Sequence, residues 1–156
     1  MIQRYDLAPL DGITKVVFRR VWADHFGGAD CYFIPFFSPT PHHILTDRDR
    51  REIDPANNGG LPSVPQVMTC RAEDFLWAAE VVADMGYTEV NLNLGCPSGT
   101  VTAKGKGAGF LAKPEELERF FDEVFSKIKL PVSVKTRLGV SDPEEFGRLL
   151  EIYNRY

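Results

Sequence analysis

The sequence predicts an α/β fold with a parallel sheet, because short apolar segments alternate with amphipathic helical segments along the 156 residues. Five segments have the length and apolar character of buried strands and are followed by Pro, Gly or polar residues. These strand candidates are Tyr5 to Ala8, Cys31 to Ile34, Val64 to Val67, Glu89 to Leu94 and Val132 to Thr136. The last two carry polar residues near their carboxyl ends, where parallel sheets place their ligands. The pattern alone leaves a closed barrel and an open sheet as alternatives.

The first helix is predicted directly after the first strand. Thr14 is a suitable amino-terminal cap, and Gly27 and Gly28 mark the end of the helix. The side chains expected to face the core are Val17, Phe18, Val21 and Trp22. The polar, proline-containing stretch from 38 to 62 is expected to be a loop with a short helix around Ile44 to Arg51.

Three further helices are predicted after the third, fourth and fifth strands. The helix from Ala72 to Met85 should end at Gly86. Its expected inward residues are Phe75, Ala79, Val82 and Ala83. The helix that opens at Pro114 should bury Leu117, Phe120, Phe121, Val124 and Phe125. The last, capped by Ser141 or Asp142, should bury Phe146, Leu149, Leu150 and Tyr153.

Composition and charge narrow the class of protein. The formal net charge is −4, and the dense basic cluster Arg48, Arg50 and Arg51 is interleaved with acidic residues, so charge alone indicates no nucleic-acid surface. The three cysteines form no CxxC pair, which is typical of a reducing cytoplasm and favours neither disulfides nor a zinc site. No basic leader and no apolar run of about 18 residues is present, so a cytoplasmic protein without a membrane span is expected.

The segment VNLNLGCPSGTVTAKGKGAGFL, from Val90 to Leu111, is the strongest chemical signal. Asn93 ends a strand, and its amide can both donate and accept hydrogen bonds, as the edge of a pyrimidine or flavin ring requires. Gly95 allows close approach of the backbone to a ring, and Pro97 stiffens the turn. Cys96 therefore stands on a rigid loop at the ligand-binding edge, where a thiol can act as an acid, a nucleophile or a metal ligand.

Several residues also have a purely structural interpretation. Cys31 and Cys70 are expected to be small packed hydrophobic residues. The glycine-rich stretch 104–109 lacks a phosphate-loop pattern and is expected to be a mobile surface loop or a covering lid. His42 and His43 lie in the polar loop and are expected to be exposed. Arg137 is a weaker candidate that could bind a phosphate or a carboxylate.

Four segments occur in an order that resembles the tRNA-dihydrouridine synthase family: LAPLDGIT, PQV, NLGCPSGTV followed by GKGAGFL, and VSVKTRLG, together spanning residues 7 to 139. The resemblance implies a partial TIM (β/α)8-type barrel of about five βα units, since a complete barrel needs roughly 250 residues. Residues 1 to 156 would form the amino-terminal part of an FMN-binding barrel. The later strands and the family's carboxy-terminal tRNA-binding domain would be absent.

The resemblance also implies a reaction and its residues. Reduced FMN would deliver hydride to uracil C6 in tRNA, Cys96 would protonate C5, and NADPH would reduce the flavin again. Asn93 would address the uracil. The expected flavin-binding residues are Ala8, Pro9, Leu10, Gln66 and Lys135, with Leu10 where many relatives have methionine. Lys135 has its own rationale, because a cation beside the ring stabilises an anionic reduced flavin. In the structural alternative, Gln66 and Asn93 pair with neighbouring backbone, and Lys135 extends into solvent.

Two other functions stay open at this point. The chain could belong to another FMN barrel oxidoreductase, such as a dihydroorotate or dihydropyrimidine dehydrogenase, although the GCP-x3-V spacing at Gly95 to Val101 favours the synthase. It could also be a non-catalytic fragment. A barrel with five of eight strands has two unpaired edges, so the isolated chain is expected to be inactive and to be unstable, self-associate or require completion by another chain.

Overall fold

The computed structural model describes residues 4–156 and contains one parallel sheet of five strands. The strands are β1 (Asp6–Leu7), β2 (Cys31–Phe37), β3 (Ser63–Val67), β4 (Val90–Asn93) and β5 (Val132–Lys135). They are hydrogen-bonded in the order β1-β2-β3-β4-β5 and curl into a half-barrel. This confirms the α/β fold and the partial barrel. All five predicted strands are present, with β2 extended by three residues to Phe37.

Helices occupy each interval between the strands. They are α1 (Val16–His25), α2 (Asp47–Ile53), α3 (Ala72–Asp84), α4 (Gly99–Thr102), α5 (Ala108–Leu111), α6 (Pro114–Phe125) and α7 (Phe146–Tyr153), the last preceded by a 3-10 turn (Pro143–Glu145). The core lies between the outer face of the sheet and helices α3, α6 and α7. Within the described residues no helix is both long enough and apolar enough to cross a membrane.

Helix α6 has the inward face that its sequence predicts. Leu117, Phe120, Phe121 and Val124 are buried in the core cluster. The Phe120 ring meets Phe75 of α3 edge-on, with ring centroids 5.8 Å apart. Because Val90 and Leu92 of β4 belong to the same cluster, α3 and α6 cover the outer face of the strand that leads to Cys96.

The amino-terminal end of the last helical segment is held by a capping box. The Asp142 carboxylate accepts a hydrogen bond from the Glu144 amide, and the Glu145 carboxylate accepts from the backbone amides of Val140, Ser141 and Asp142. These backbone donors lower the pKa of Glu145. Asp142 is thus the cap, one of the two residues that the sequence offered for that role.

The predicted inward face of α1 is wrong at Val17 and Val21, whereas Phe18 and Trp22 are half-buried. Val17 is 70% exposed and Val21 is 48% exposed, whereas Arg19 is fully buried. The Arg19 guanidinium donates to the Thr14 carbonyl at 2.7 Å and to the Asn58 side chain at 2.7 Å. A buried charge is tolerated when its donors are satisfied, and this hydrogen bonding turns the polar side of α1 inward. Thr14 does not cap the helix either, because its hydroxyl bonds to the backbone of Leu10.

Smaller corrections concern residues at the margins of helical faces. Ala83 and Leu150 were expected to be buried, but both are exposed, and Ala78 and Ile152 occupy the core instead. In each helix the buried stripe is rotated slightly from the one expected, because the neighbouring helices determine which side is covered. The short helix of the polar loop begins later than predicted, at Asp47, where the Thr46 hydroxyl accepts the Asp49 amide as its cap.

His42 is exposed as expected, but His43 is not. The His43 Nε2 atom lies 3.1 Å from Asp74 Oδ1, and its ring stacks on Trp77 with centroids 5.1 Å apart. The Thr69 hydroxyl donates to the other oxygen of Asp74. These contacts fasten the polar loop to the amino-terminal turns of α3.

Candidate active site

The carboxyl ends of the strands meet around one cleft of about 230 Å³. Six of the seven residues selected from the sequence line it: Pro9, Leu10, Gln66, Asn93, Cys96 and Lys135. Ala8, one residue earlier on the first strand segment, is not among the lining residues. The structure therefore brings together residues from four separate βα units.

Cys96 is held by a turn that begins at Asn93. The Asn93 side-chain oxygen accepts hydrogen bonds from the backbone amides of Gly95 at 3.1 Å and Cys96 at 2.9 Å. The Asn93 amide nitrogen donates to Gln66 Oε1 at 2.7 Å. An asparagine at a strand end commonly closes such a local turn, and here the turn fixes the peptide that precedes the thiol.

The glycine-rich stretch 104–109 does not line the cleft, so it is not a lid over it. It is a turn that connects α4 to the start of α5, and the Ala108 amide donates to the Cys96 carbonyl at 3.0 Å. Gly107 has φ +55°, and a Cβ atom there would lie 2.7 Å from the Cys96 carbonyl oxygen. The glycine thus permits a close backbone approach that a larger residue would prevent. The stretch packs against the Cys96 backbone and does not cover the cleft.

Arg137 holds the same loop from the side of β5. Its Nε donates to the Gly95 carbonyl at 2.6 Å. The sequence left a phosphate and a carboxylate as possible partners, and the structure instead provides a backbone carbonyl. The peptide groups on both sides of Cys96 are therefore hydrogen-bonded to Asn93, Arg137 and Ala108.

Lys135 ends β5 opposite Asn93 in the register of the sheet. Its side chain has no hydrogen-bond or ion-pair partner among residues 4–156, and it lines the cleft. A free ammonium beside the neutral amide of Gln66 forms a donor set suited to a planar heteroaromatic ring with carbonyl groups. Across the described part of the chain, no cluster of three or more His, Cys, Asp or Glu side chains is placed to hold a metal ion.

Sequence reasoning missed several residues of this region, among them Asn91, Phe36 and Gly107. Asn91 is 2% exposed and accepts a hydrogen bond from Gln66 at 2.6 Å. Phe36 reaches the cleft because β2 extends beyond its predicted end. Gly107 contacts Cys96 only through tertiary packing. Asn91 could have been predicted from the sequence, because it lies two residues before Asn93 and therefore on the same face of the strand.

The other two cysteines are separate from this site. Cys31 is buried on β2, as expected, and burial raises the pKa of its thiol. Cys70 is half-buried against the core. All three cysteines are free thiols, so Cys96 is the thiol that lies in the cleft.

A half-barrel with polar side chains gathered at the carboxyl ends of parallel strands defines the chain as part of a (β/α) barrel protein with a ligand-binding cleft. The family model described as dihydrouridine synthase (Dus) matches residues 6–155. The chain belongs to the dihydrouridine synthase family, which confirms the resemblance seen in its motifs.

Curated relatives give the same result. The chain is 34% identical over 148 residues to the probable tRNA-dihydrouridine synthase 1 of Synechocystis sp., covering 92% of this chain and 41% of the relative. It is 34% identical to the probable tRNA-dihydrouridine synthase of Staphylococcus epidermidis, covering 90% and 43%. The corresponding protein of Rhodobacter capsulatus is 33% identical, with coverage of 85% and 40%. The chain thus spans about two fifths of the length of these relatives.

Proposed function

We propose that the chain is the amino-terminal catalytic part of a tRNA-dihydrouridine synthase, which reduces the C5=C6 bond of uracil in tRNA. The observation that carries the proposal is the placement of Cys96 in the same cleft as Lys135 and Gln66, with the backbone around the thiol held on both sides. The family match and the names of the relatives support the same reaction.

FMN is the proposed cofactor, and the residues that would hold it are Ala8, Pro9, Leu10, Gln66 and Lys135. When bound, FMN would supply the hydride for C6, with NADPH as the reductant. Lys135 would place positive charge near the ring and so favour its anionic reduced form. Gln66 donates one of its two amide hydrogens to Asn91, and it would donate the other to the ring.

Cys96 is the proposed proton donor to uracil C5. Saturating the double bond requires one hydride and one proton, and no covalent bond to the enzyme is needed. A thiol on a fixed turn meets the geometric demand on a general acid, because proton transfer depends strongly on placement. Asn93 donates one of its two amide hydrogens to Gln66, and it would donate the other to the uracil.

We propose further that this activity belongs to a longer protein. The described residues form five parallel strands, whereas a closed barrel of this type has eight. The sites for the flavin phosphate and for the body of the tRNA would lie outside these 156 residues. The isolated chain is therefore expected to be inactive.

The test uses the full-length protein that contains this chain. Purified protein should show the flavin absorbance band, and with NADPH and tRNA transcribed without modifications it should form dihydrouridine, detected by mass spectrometry of nucleosides. The Cys96→Ala variant is the control, because it should retain the flavin band and lose the product. A full-length protein that carries no flavin and leaves every uridine unchanged would disprove the proposal.

A further inference from the structure

A line of hydrogen-bonded side chains crosses three strands inside the half-barrel. Asn93 donates to Gln66 at 2.7 Å, Gln66 donates to Asn91 at 2.6 Å, and Asn91 donates to the Ser133 hydroxyl at 2.8 Å. Ser133 in turn donates to the carboxylate of Glu89. The line therefore runs from the amino-terminal end of β4 to the turn that holds Cys96.

The hydrogen bonds at the two ends of this line determine which atom of each side-chain amide within it donates and which accepts. At one end, the backbone amides of Gly95 and Cys96 can only donate, so the Asn93 atom that faces them must be its oxygen. At the other end, an ionised carboxylate can only accept, so Ser133 must donate to Glu89. Each side chain between them has a single orientation that satisfies both neighbours.

Reversal of one amide would be costly. If the Gln66 amide rotated by half a turn, its oxygen would face the Asn91 oxygen and its NH2 group would face that of Asn93. Gln66 is 1% exposed and Asn91 is 2% exposed, so water could not replace the lost partners. Each unsatisfied buried group costs about 1–3 kcal/mol. Within the described residues, every buried side-chain nitrogen and oxygen has a partner.

We propose that Asn91 and Ser133 are positioning residues for Cys96. They fix the orientation of the Gln66 amide, which orients Asn93, which in turn holds the backbone amide that precedes the Cys96 side chain. Neither residue lines the cleft, so we expect them to act on the thiol through this line and not by contact with a ligand. Their role in the reaction rests on the proposed function, whereas the mechanical coupling does not.

Hydrogen–deuterium exchange resolved to single amides in the full-length protein tests the coupling without flavin or tRNA. In Asn91→Leu and in Ser133→Ala, the Cys96 amide should exchange about five- to tenfold faster, because the Asn93 oxygen that accepts from it is no longer held in one orientation. The Leu94 amide is the internal control. It donates to the Lys135 carbonyl at 2.8 Å within the sheet, so its exchange should stay unchanged.

Asn58→Leu is the matched control for the loss of a buried amide. Asn58 is 1% exposed and belongs to the Arg19 cluster, so its replacement should leave Cys96 exchange as in the parent. Ser133→Ala decides the question if Asn91→Leu unfolds the protein, because Ser133 is only half-buried. Unchanged Cys96 exchange in Ser133→Ala, together with faster exchange in Asn93→Ala, would show that Asn93 acts alone and would overturn the proposal.

The outcome is independent of the proposed reaction. A full-length protein without synthase activity could still show the coupled exchange, which would confirm the hydrogen-bond line and remove only its catalytic meaning. In an active protein, Ser133→Ala should lower the rate of tRNA-dependent flavin oxidation several-fold while flavin reduction by NADPH stays unchanged, because only the thiol's placement is altered.

Discussion

Gly107 lies directly against Cys96: a Cβ atom on Gly107 would be 2.7 Å from the Cys96 carbonyl oxygen and 3.1 Å from the Cys96 Cβ. The glycine also has a backbone conformation, φ +55° and ψ −132°, that side-chain-bearing residues rarely adopt. The position of the candidate proton donor therefore depends on a residue eleven positions later, in a stretch that resembles a surface loop.

Gly107→Ala should destabilise the protein by about 1–3 kcal/mol and displace the Cys96 loop, because the new methyl group must move a backbone carbonyl. Chemical denaturation of the full-length protein measures the loss. Gly99→Ala is the control within the same stretch, since nothing lies within 4 Å of its added Cβ. Equal stability of the two variants would show that the close approach at Gly107 is relieved without cost.

Cys96→Ala in the full-length protein should still bind FMN and accept electrons from NADPH, but dihydrouridine formation should fall by about 10²- to 10⁴-fold, as is typical when a positioned acid is lost. Cys96→Ser should also be badly impaired, because a hydroxyl is a much weaker acid than a thiol. The measurement is single-turnover oxidation of the pre-reduced enzyme by unmodified tRNA. Oxidation of Cys96→Ala at the parent rate, with product formed, would make Cys96 a packed thiol only.

Lys135→Ala should lower flavin occupancy of the full-length protein, because it removes from the cleft a cation that has no partner among residues 4–156. Occupancy is read from the ratio of flavin to protein absorbance. Lys127→Ala serves as the control, since Lys127 is an exposed lysine that pairs with Glu123 on α6. If Lys135→Ala keeps the flavin content and the NADPH-dependent reduction rate of Lys127→Ala, Lys135 does not belong to the cofactor site.

Arg19→Met should destabilise the protein by about 3–5 kcal/mol, the usual cost of removing one partner from a buried charged network. The replacement removes the guanidinium donors from the Thr14 carbonyl, the Asn58 side chain and Glu52. Burial already lowers the pKa of Arg19, which reflects the desolvation that these partners offset. Urea denaturation measures the free energy of unfolding of Arg19→Met and of the control Arg20→Met. Arg20 is an exposed neighbour on α1, so the control should be as stable as the parent.

The isolated 156-residue chain should self-associate, because β1 and β5 each pair with one strand only within the described residues. The Pro131 and Lys135 carbonyls accept hydrogen bonds from β4. Successive residues of a strand direct their backbone groups to opposite sides, so the Val134 amide faces the open edge of the sheet. Val134→Pro should therefore reduce association more than Val134→Ala does. Sedimentation velocity over a range of concentrations measures this. A chain that stays monomeric at all concentrations would contradict the open-edge argument.

Much of the fold could be predicted because local patterns determine it. The five strands, the helix after Pro114 and the capped final helix follow from apolar periodicity and from residues such as Asp142, whose capping acts within a few positions. The candidate site could also be located, because parallel strands in chain order bring their carboxyl ends together. Six of seven selected residues consequently line one cleft.

The tertiary structure alone decided which polar groups are buried together. The burial of Arg19 depends on Asn58, 39 positions away, and the line through Asn91 depends on Ser133, 42 positions away. A sequence pattern indicates that a residue is polar, but burial becomes favourable only when a partner is supplied from a distant strand or loop. For this reason the sequence identified Cys96, whereas the structure identified the side chains and the glycine that hold it in place.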